Sequence, residues 1–197
     1  MKINCPLILA SGSPRRRLLL NQLGLQFDIH VSDVEESFNP DDKPEIIVQK
    51  LAEKKAEAVA PEYPDSLTLA ADTIVVLNGE ILGKPIDQKD AGRMLSLLSG
   101  KQHYVYTGIS LMHPVSKRSV QSFASTKVTF AQMTSQEIDN YVSTGSPLDK
   151  AGSYGIQDDQ GALYILGIEG DYYNVVGLPL RTLYKALKSN FDDLLIL

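Results

Sequence analysis

Residues 6–17, PLILASGSPRRR, restrict the fold more than any other stretch of the chain. Leu7, Ile8 and Leu9 form a short apolar run of the kind that makes a buried strand, and Ser11, Gly12 and Ser13 follow with small residues suited to a turn. A helix is expected over 14–23, with Ser13 as N-cap, Pro14 at the first helical position and Gly24 closing it. Arg15, Arg16 and Arg17 then fall in its first turn, where the positive end of the helix dipole disfavours cations by about 0.3–1 kcal/mol each at an exposed site. Backbone N–H groups, the dipole and guanidinium forks together suit a phosphate group. The same arginines are equally served by carboxylates of the chain itself, so both readings stay open.

The 197 residues, with 43% hydrophobic content, fit one domain or two closely packed lobes with a real core. A net charge of -5 argues against a DNA-binding module and against an anionic membrane surface, so the basic residues matter by position. Cys5 stands alone, which excludes an intrachain disulfide and fits a reducing compartment. The first apolar run is too short for a signal peptide and no stretch reaches transmembrane length, so a cytoplasmic address is expected.

Along the chain, residues 26–32 alternate well enough for a second strand leading to Glu35 and Glu36. Adjacent carboxylates at a strand end suit a hard cation if other oxygen ligands converge on it, and are otherwise solvated. His30, His103 and His113 are scattered without zinc-type spacing. Residues 45–60 have helical periodicity, with Val48, Leu51, Ala52, Ala56 and Val59 on one stripe and Lys55 in its middle. Lys54 is turned about 100° away. A lysine on a buried face finds an anion or snorkels out, and spacing alone leans to snorkelling.

Thr68 to Leu77 form a long β-prone run, and Asn78-Gly79 predicts a hairpin that returns through Glu80, Ile81 and Leu82. Asp72 interrupts this apolar strand, and an aspartate there needs a compensating cation, a metal or a hydrogen-bond network, which favours catalysis or ligation over structure. Lys84, in Gly83-Lys84-Pro85, adds a positive charge just past the hairpin. A helix over 88–99 capped by Asp87, strands over 104–112 and 119–130, and a helix opened by the Thr134/Glu137 capping box and stopped at Gly145 complete the scaffold. The glycine-rich stretch 146–165 carries Asp149, Lys150 and Gln157, whose amide suits reading a polar base edge. A strand and then a helix over about 178–188 end the pattern, with Val175, Val176, Leu180, Leu183 and Leu187 as core. Mixed strands and helices give an α/β class with a mixed, twisted sheet and flanking helices.

Taken together, SGSPRR at 11–16, Glu35-Glu36, LAEKKA at 51–56, ADTIV at 71–75, GKP at 83–85, LSG at 98–100, SPLDKAGSYGIQ at 146–157 and VVGLPL at 175–180 resemble the Maf family of nucleoside triphosphate pyrophosphatases. Each motif alone is weak, but their order and spacing are specific and run nearly end to end. The resemblance implies one domain over 1–197, two lobes around a cleft, and a fold shared with inosine triphosphate pyrophosphatases. It implies Asp72 as the catalytic acid/base residue, with Glu36, Lys55 and Lys84 in the active site. Ser11, Ser13, Arg15, Arg16, Thr73 and Gln157 are implied to bind substrate.

Arg15, Thr73 and Gln157 match the residue types of the dTTP/UTP pyrophosphatases, where the subfamily acting on 7-methyl-GTP tends to have an aromatic residue, a glutamine and a glutamate. Dependence on Mg²⁺ or Mn²⁺, held by carboxylates such as Glu36 and Asp72, is also implied. So are a homodimer, the absence of stable nucleic-acid binding and a link to septum formation. Two alternatives remain at the level of sequence: a pyrophosphatase for 7-methyl-GTP or another modified purine, and a nucleotide-binding division regulator without turnover.

Overall fold

The computed structural model describes residues 1–157 and 160–196, so Asp158 and Asp159 of the glycine-rich stretch lie outside the described residues. In chain order the elements are β1 (Lys2–Ile3), β2 (Leu7–Leu9), α1 (Pro14–Gln22), β3 (Asp28–Ile29), α2 (Pro44–Val59), β4 (Leu67–Leu77), β5 (Glu80–Leu82) and α3 (Gln88–Leu98). They continue with β6 (Gln102–His113), β7 (Arg118–Phe130), α4 (Ser135–Ser143), β8 (Ile165–Glu169), α5 (Tyr172–Val176), α6 (Leu180–Asn190) and β9 (Leu195–Ile196). Seven strands form a mixed sheet in the order β3-β2-β4-β6-β7-β8, with β5 added to β4. β2 runs parallel to both β3 and β4, whereas β5 on β4 and β8 on β7 are antiparallel. β1 and β9 make a separate two-stranded antiparallel pair.

The chain divides into two compact units, and β4, β6 and β7 each pass from one to the other. The first comprises residues 1–72, 107–124 and 177 onward. Its parallel core is built from Leu7, Ile8 and Leu9, all nearly inaccessible, registered against Leu67, Thr68 and Leu69. α2 lays Ile47, Val48, Leu51, Ala52, Ala56 and Val59 on this unit's core, as its apolar stripe requires. The seat is close: a Cβ on Gly108 of β6 would overlap the Val48 carbonyl, so only glycine lets the helix backbone lie there.

The second unit comprises residues 73–106 and 125–176. Its core gathers Val75, Leu77 and Leu82 from the hairpin, Met94, Leu95 and Leu98 from α3, and Ile138, Tyr141 and Val142 from α4. Turn chemistry follows the sequence. Asn78 and Gly79 both take positive φ (51° and 86°), as the predicted hairpin demands. Asp87 accepts the Asp90 N–H, and Thr134 and Glu137 form the reciprocal capping box.

Two expectations fail. Of the strand foreseen over 26–32 only Asp28–Ile29 pairs, because β3 is an exposed edge strand beside β2 with no partner on its other side in the sheet order. The strand foreseen before the last helix is instead the short helix α5, whose Asn174 side chain is buried and donates to the Val105 carbonyl and to Thr126 Oγ1, both at 2.9 Å. That tie to β6 and β7 is non-local and fixes a helical turn where the β-branched pair Val175-Val176 favours a strand.

His103 is a second buried polar group of this unit. Its Nε2 pairs with the Tyr154 hydroxyl at 2.6 Å, its ring meets Phe130 and Tyr154, and its Nδ1 is buried with no hydrogen-bond partner among the described residues. Burial pulls its pKa from 6.5 down to about 4. The unfolded chain therefore binds the proton between those two values while the folded chain does not, so stability present above pH 6.5 is lost as pH falls toward 4. A gap of that size corresponds to about 3 kcal/mol. Urea denaturation across this window should show that acid-side loss, and His103→Gln should flatten it; an unchanged slope in the variant would remove His103 as its source.

Candidate active site

The first unit holds seven of the site residues singled out in the sequence: Ser11, Ser13, Arg15, Arg16, Glu36, Lys55 and Asp72. Asp72 sits in β4 with only 6% of its surface exposed, and Lys55 of α2, equally enclosed at 8%, donates to its Oδ1 at 2.5 Å. The same ammonium lies 2.6 Å from Glu36 Oε1, so one nitrogen bridges two carboxylates. Lys55 thus finds anions and does not snorkel. This follows from its place in the stripe of α2, which turns it inward to the strand that carries Asp72.

Glu36 belongs to a segment without regular structure, and two successive lysines hold it there. Lys54 Nζ donates to the Glu35 carbonyl at 2.6 Å while Lys55 takes the Glu36 side chain. The 100° turn between neighbours on a helix lets the pair grip backbone and side chain of the same loop from different angles. Glu35 itself contributes its carbonyl to this clasp.

The loop between β2 and α1 supplies the cationic side. Ser13 occupies the N-cap position, but its side chain makes no capping bond; its N–H donates instead to Ser11 Oγ at 3.3 Å. Ser11 is buried, and the same Oγ accepts from an Arg16 terminal nitrogen at 2.9 Å. Arg16 Nε donates to the Gly177 carbonyl, also at 2.9 Å. The guanidinium is thereby fixed between the first turn and the segment entering α6. Gly177 has φ 117°, a region that favours glycine, so the VVGLPL motif presents this carbonyl through a backbone form that other residues resist. Arg15 and Ser13 are half-buried in the same turn. α1 has no acidic residue in its first turn, and the negative charges acting on Arg16 are those of Asp72 and Glu36.

Charges within the cluster act on one another in a definite order. Burial pushes the Asp72 carboxyl above its ordinary range; Lys55 and Arg16 pull the other way, and the like charge of Glu36 adds to the rise. Burial likewise lowers Arg16, which Asp72 and Glu36 counteract. Glu36 differs from Asp72 in exposure, with about half of its side chain accessible (52% against 8%). The donor set suits a hard divalent cation in one respect: two carboxylates already converge on a single positive nitrogen. No group of three or more His, Cys, Asp and Glu residues forms such a site among the described residues.

The remaining predicted residues lie in the second unit. Thr73 follows Asp72 in β4 and is half-buried; Lys84 is exposed between Gly83 and the buried Pro85; Gln157 is exposed in a bend within the glycine-rich stretch. Sequence reasoning missed Lys54 and Gly177 as parts of the site. Their signals are the doubled lysine of LAEKKA and the glycine of VVGLPL, neither of which reveals its partner without the fold.

Removing the shared cation tests the cluster. Lys55→Met leaves two like-charged carboxylates without it, one of them buried, and should destabilise the protein by about 3 kcal/mol. Adding Asp72→Asn should recover part of that loss, as urea denaturation of the single and double variants would measure. Strict additivity would show that Lys55 and Asp72 are not coupled.

Comparison with known proteins gives consistent results. A family model described as Maf-like protein matches residues 6–190. A dTTP/UTP pyrophosphatase of Salinibacter ruber is 49% identical over 195 residues, covering 99% of this chain and 96% of that protein. One of Bacillus cytotoxicus is 51% identical over 186 residues, covering 94% and 95%. Among solved structures, a HAM1 protein from Coxiella burnetii is similar with TM-score 0.54 and 17% identity over 94% of this chain and 99% of that one, a likeness of fold. No helix among the described residues is long and apolar enough to cross a membrane.

Proposed function

The chain belongs to the Maf-like protein family, and from that membership and the buried cluster of the first unit we propose that it hydrolyses dTTP and UTP to the nucleoside monophosphate and pyrophosphate. The observation that carries the chemistry is Asp72: a carboxylate enclosed in a strand, raised above its ordinary range by burial, and aligned by Lys55. A base whose pKa approaches the working pH is more effective than an ordinary carboxylate.

In this reading Asp72 accepts a proton from a water whose oxygen bonds to the α-phosphorus. The bond from that phosphorus to the bridging oxygen breaks, and the electron pair leaves with pyrophosphate. Arg16, held by Ser11 and Gly177, and Arg15 beside it face the phosphates at the positive end of α1. Lys55 keeps Asp72 and Glu36 oriented, and with Lys84 it binds the phosphates and offsets charge as pyrophosphate departs. Ser13 lends its backbone N–H to the shape of the turn.

Glu36 and Asp72 would hold Mg²⁺ or Mn²⁺, which when bound supplies charge neutralisation and a more acidic water. Thr73 and Gln157 are assigned to the pyrimidine, on the strength of the residue types shared with the dTTP/UTP subfamily. A homodimer and a cytoplasmic location belong to the same reading.

Pyrophosphate release from a panel of canonical and modified triphosphates, with Mg²⁺, Mn²⁺ or chelator, tests it. dTTP and UTP should lead, with monophosphate as co-product and no turnover in chelator. A profile led by 7-methyl-GTP would overturn the substrate assignment, and tight binding with no product would favour a sensor. Asp72→Asn should lower kcat by about a hundredfold or more, the scale of general base catalysis, while nucleotide binding changes little. Equal loss of both would remove Asp72 from the chemistry. In the active enzyme the acid limb of kcat/KM should lie above the ordinary carboxylate range, because burial raises the group that must be ionised.

A further inference from the structure

Residues 146–153 belong to the motif SPLDKAGSYGIQ, yet none of them enters the proposed chemistry. Lys150 is buried, with 5% of its surface exposed, and its Nζ donates to the Ser146 carbonyl at 2.6 Å, to Ser146 Oγ at 3.0 Å and to Asp149 Oδ1 at 2.9 Å. These acceptors clamp the 3₁₀ turn Ser146–Asp149 from within. Burying an ammonium carries a large desolvation penalty, which is a steep requirement for merely closing a turn.

The strain continues in the next turn. Gly152 has φ 68° and Ser153 φ 63°; the serine is fully buried and bonds Met94 Sδ through its hydroxyl at 3.2 Å. A non-glycine residue held in this region persists only where its surroundings enforce it. The Gly152 N–H donates to the Gly83 carbonyl at 3.0 Å, and a Cβ on Gly152 would lie 2.9 Å from Val75 of β4. Gly83 immediately precedes Lys84. Lys84 is therefore suspended between a carbonyl tethered by Gly152 and the buried ring of Pro85.

A buried cation and two left-handed residues, the first with no room for a side chain, thus shape adjoining turns, and the Gly152 N–H ties those turns to the backbone that presents Lys84. We infer that Lys150 and Gly152 form a brace that positions the backbone carrying Lys84 for its phosphate-binding role. They are positioning residues, and the inference rests on the reading of Lys84 as a phosphate-binding group given above. The brace lies wholly within the second unit, so it sets the Lys84 loop by local geometry alone.

A double-mutant cycle tests it, with pyrophosphate release from dTTP as the readout. Gly152→Ala and Lys150→Met should each raise KM about tenfold with a smaller effect on kcat, and each should change kcat/KM by less than about twofold in a Lys84→Ala background. Effects that multiply fully with Lys84→Ala would mark a merely structural role and overturn the inference. So would an unchanged KM in Gly152→Ala, or a Lys84→Ala enzyme with full activity; the latter leaves the Asp72 chemistry standing.

Amide hydrogen exchange on the unmodified protein decides the point if the variants do not fold or if no triphosphate is turned over. The Gly152 amide should be protected to the level of β4 amides. Exchange at the rate of an open loop would overturn the brace, independently of whether the proposed reaction is correct.

Discussion

One ammonium group organises the site. Lys55 Nζ stands within hydrogen-bonding distance of both Asp72 and Glu36, and each partner comes from a different part of the chain: a central strand, a helix and an irregular loop. Taking a lysine and an aspartate out of water costs several kcal/mol per ion, and only a well-made pair with further hydrogen bonds offsets that. The surrounding packing supplies the remainder. β2 and β4 are registered residue by residue, and α2 is pressed onto β6 at Gly108, so the two buried charges are held where they meet. The pair is therefore better understood as something the core tolerates for function than as a source of stability.

The same logic extends to the arginine. Arg16 is not left to choose a rotamer, because Ser11 and Gly177 accept from it on two sides and the charges of Asp72 and Glu36 act on it as well. The internal pairing left open by the sequence is thus compatible with the proposed anion cradle. Internal carboxylates and carbonyls pre-set the guanidinium, and a group held in one geometry loses less entropy when a phosphate arrives.

Much of this was legible from the sequence because it is encoded locally. Turn dipeptides, capping residues and the apolar stripe of α2 depend on neighbours a few residues away, and they marked β4, β5, α2, α3 and α4 to within a residue or two. Asp72 announced itself as a charge in an apolar strand. What escaped were features decided over long range. Lys55 gave no sign of which anions it would meet, since Glu36 and Asp72 lie 19 positions before and 17 after it. The α5 turn is fixed by Asn174 bonding to β6 and β7, 69 and 48 positions away. Gly177 stood in the sequence only as part of the VVGLPL motif, although its carbonyl accepts from an arginine 161 positions earlier.

Two carboxylates share one lysine, yet they are not equivalent, and the difference assigns their roles. Asp72 is enclosed in a strand, so losing its charge relieves a desolvation penalty and its proton affinity rises. Glu36 keeps about half of its side chain in solvent, where a carboxylate stays hydrated. Environments that separate the protonation tendencies of two acids are the usual basis for dividing acid/base work from charge work. In the proposed reaction that ground places the proton on Asp72 and leaves Glu36 as the solvent-facing partner of Lys55. Exchanging the two residue types would not exchange these roles, because burial in β4 and exposure on the loop belong to the positions and not to the side chains.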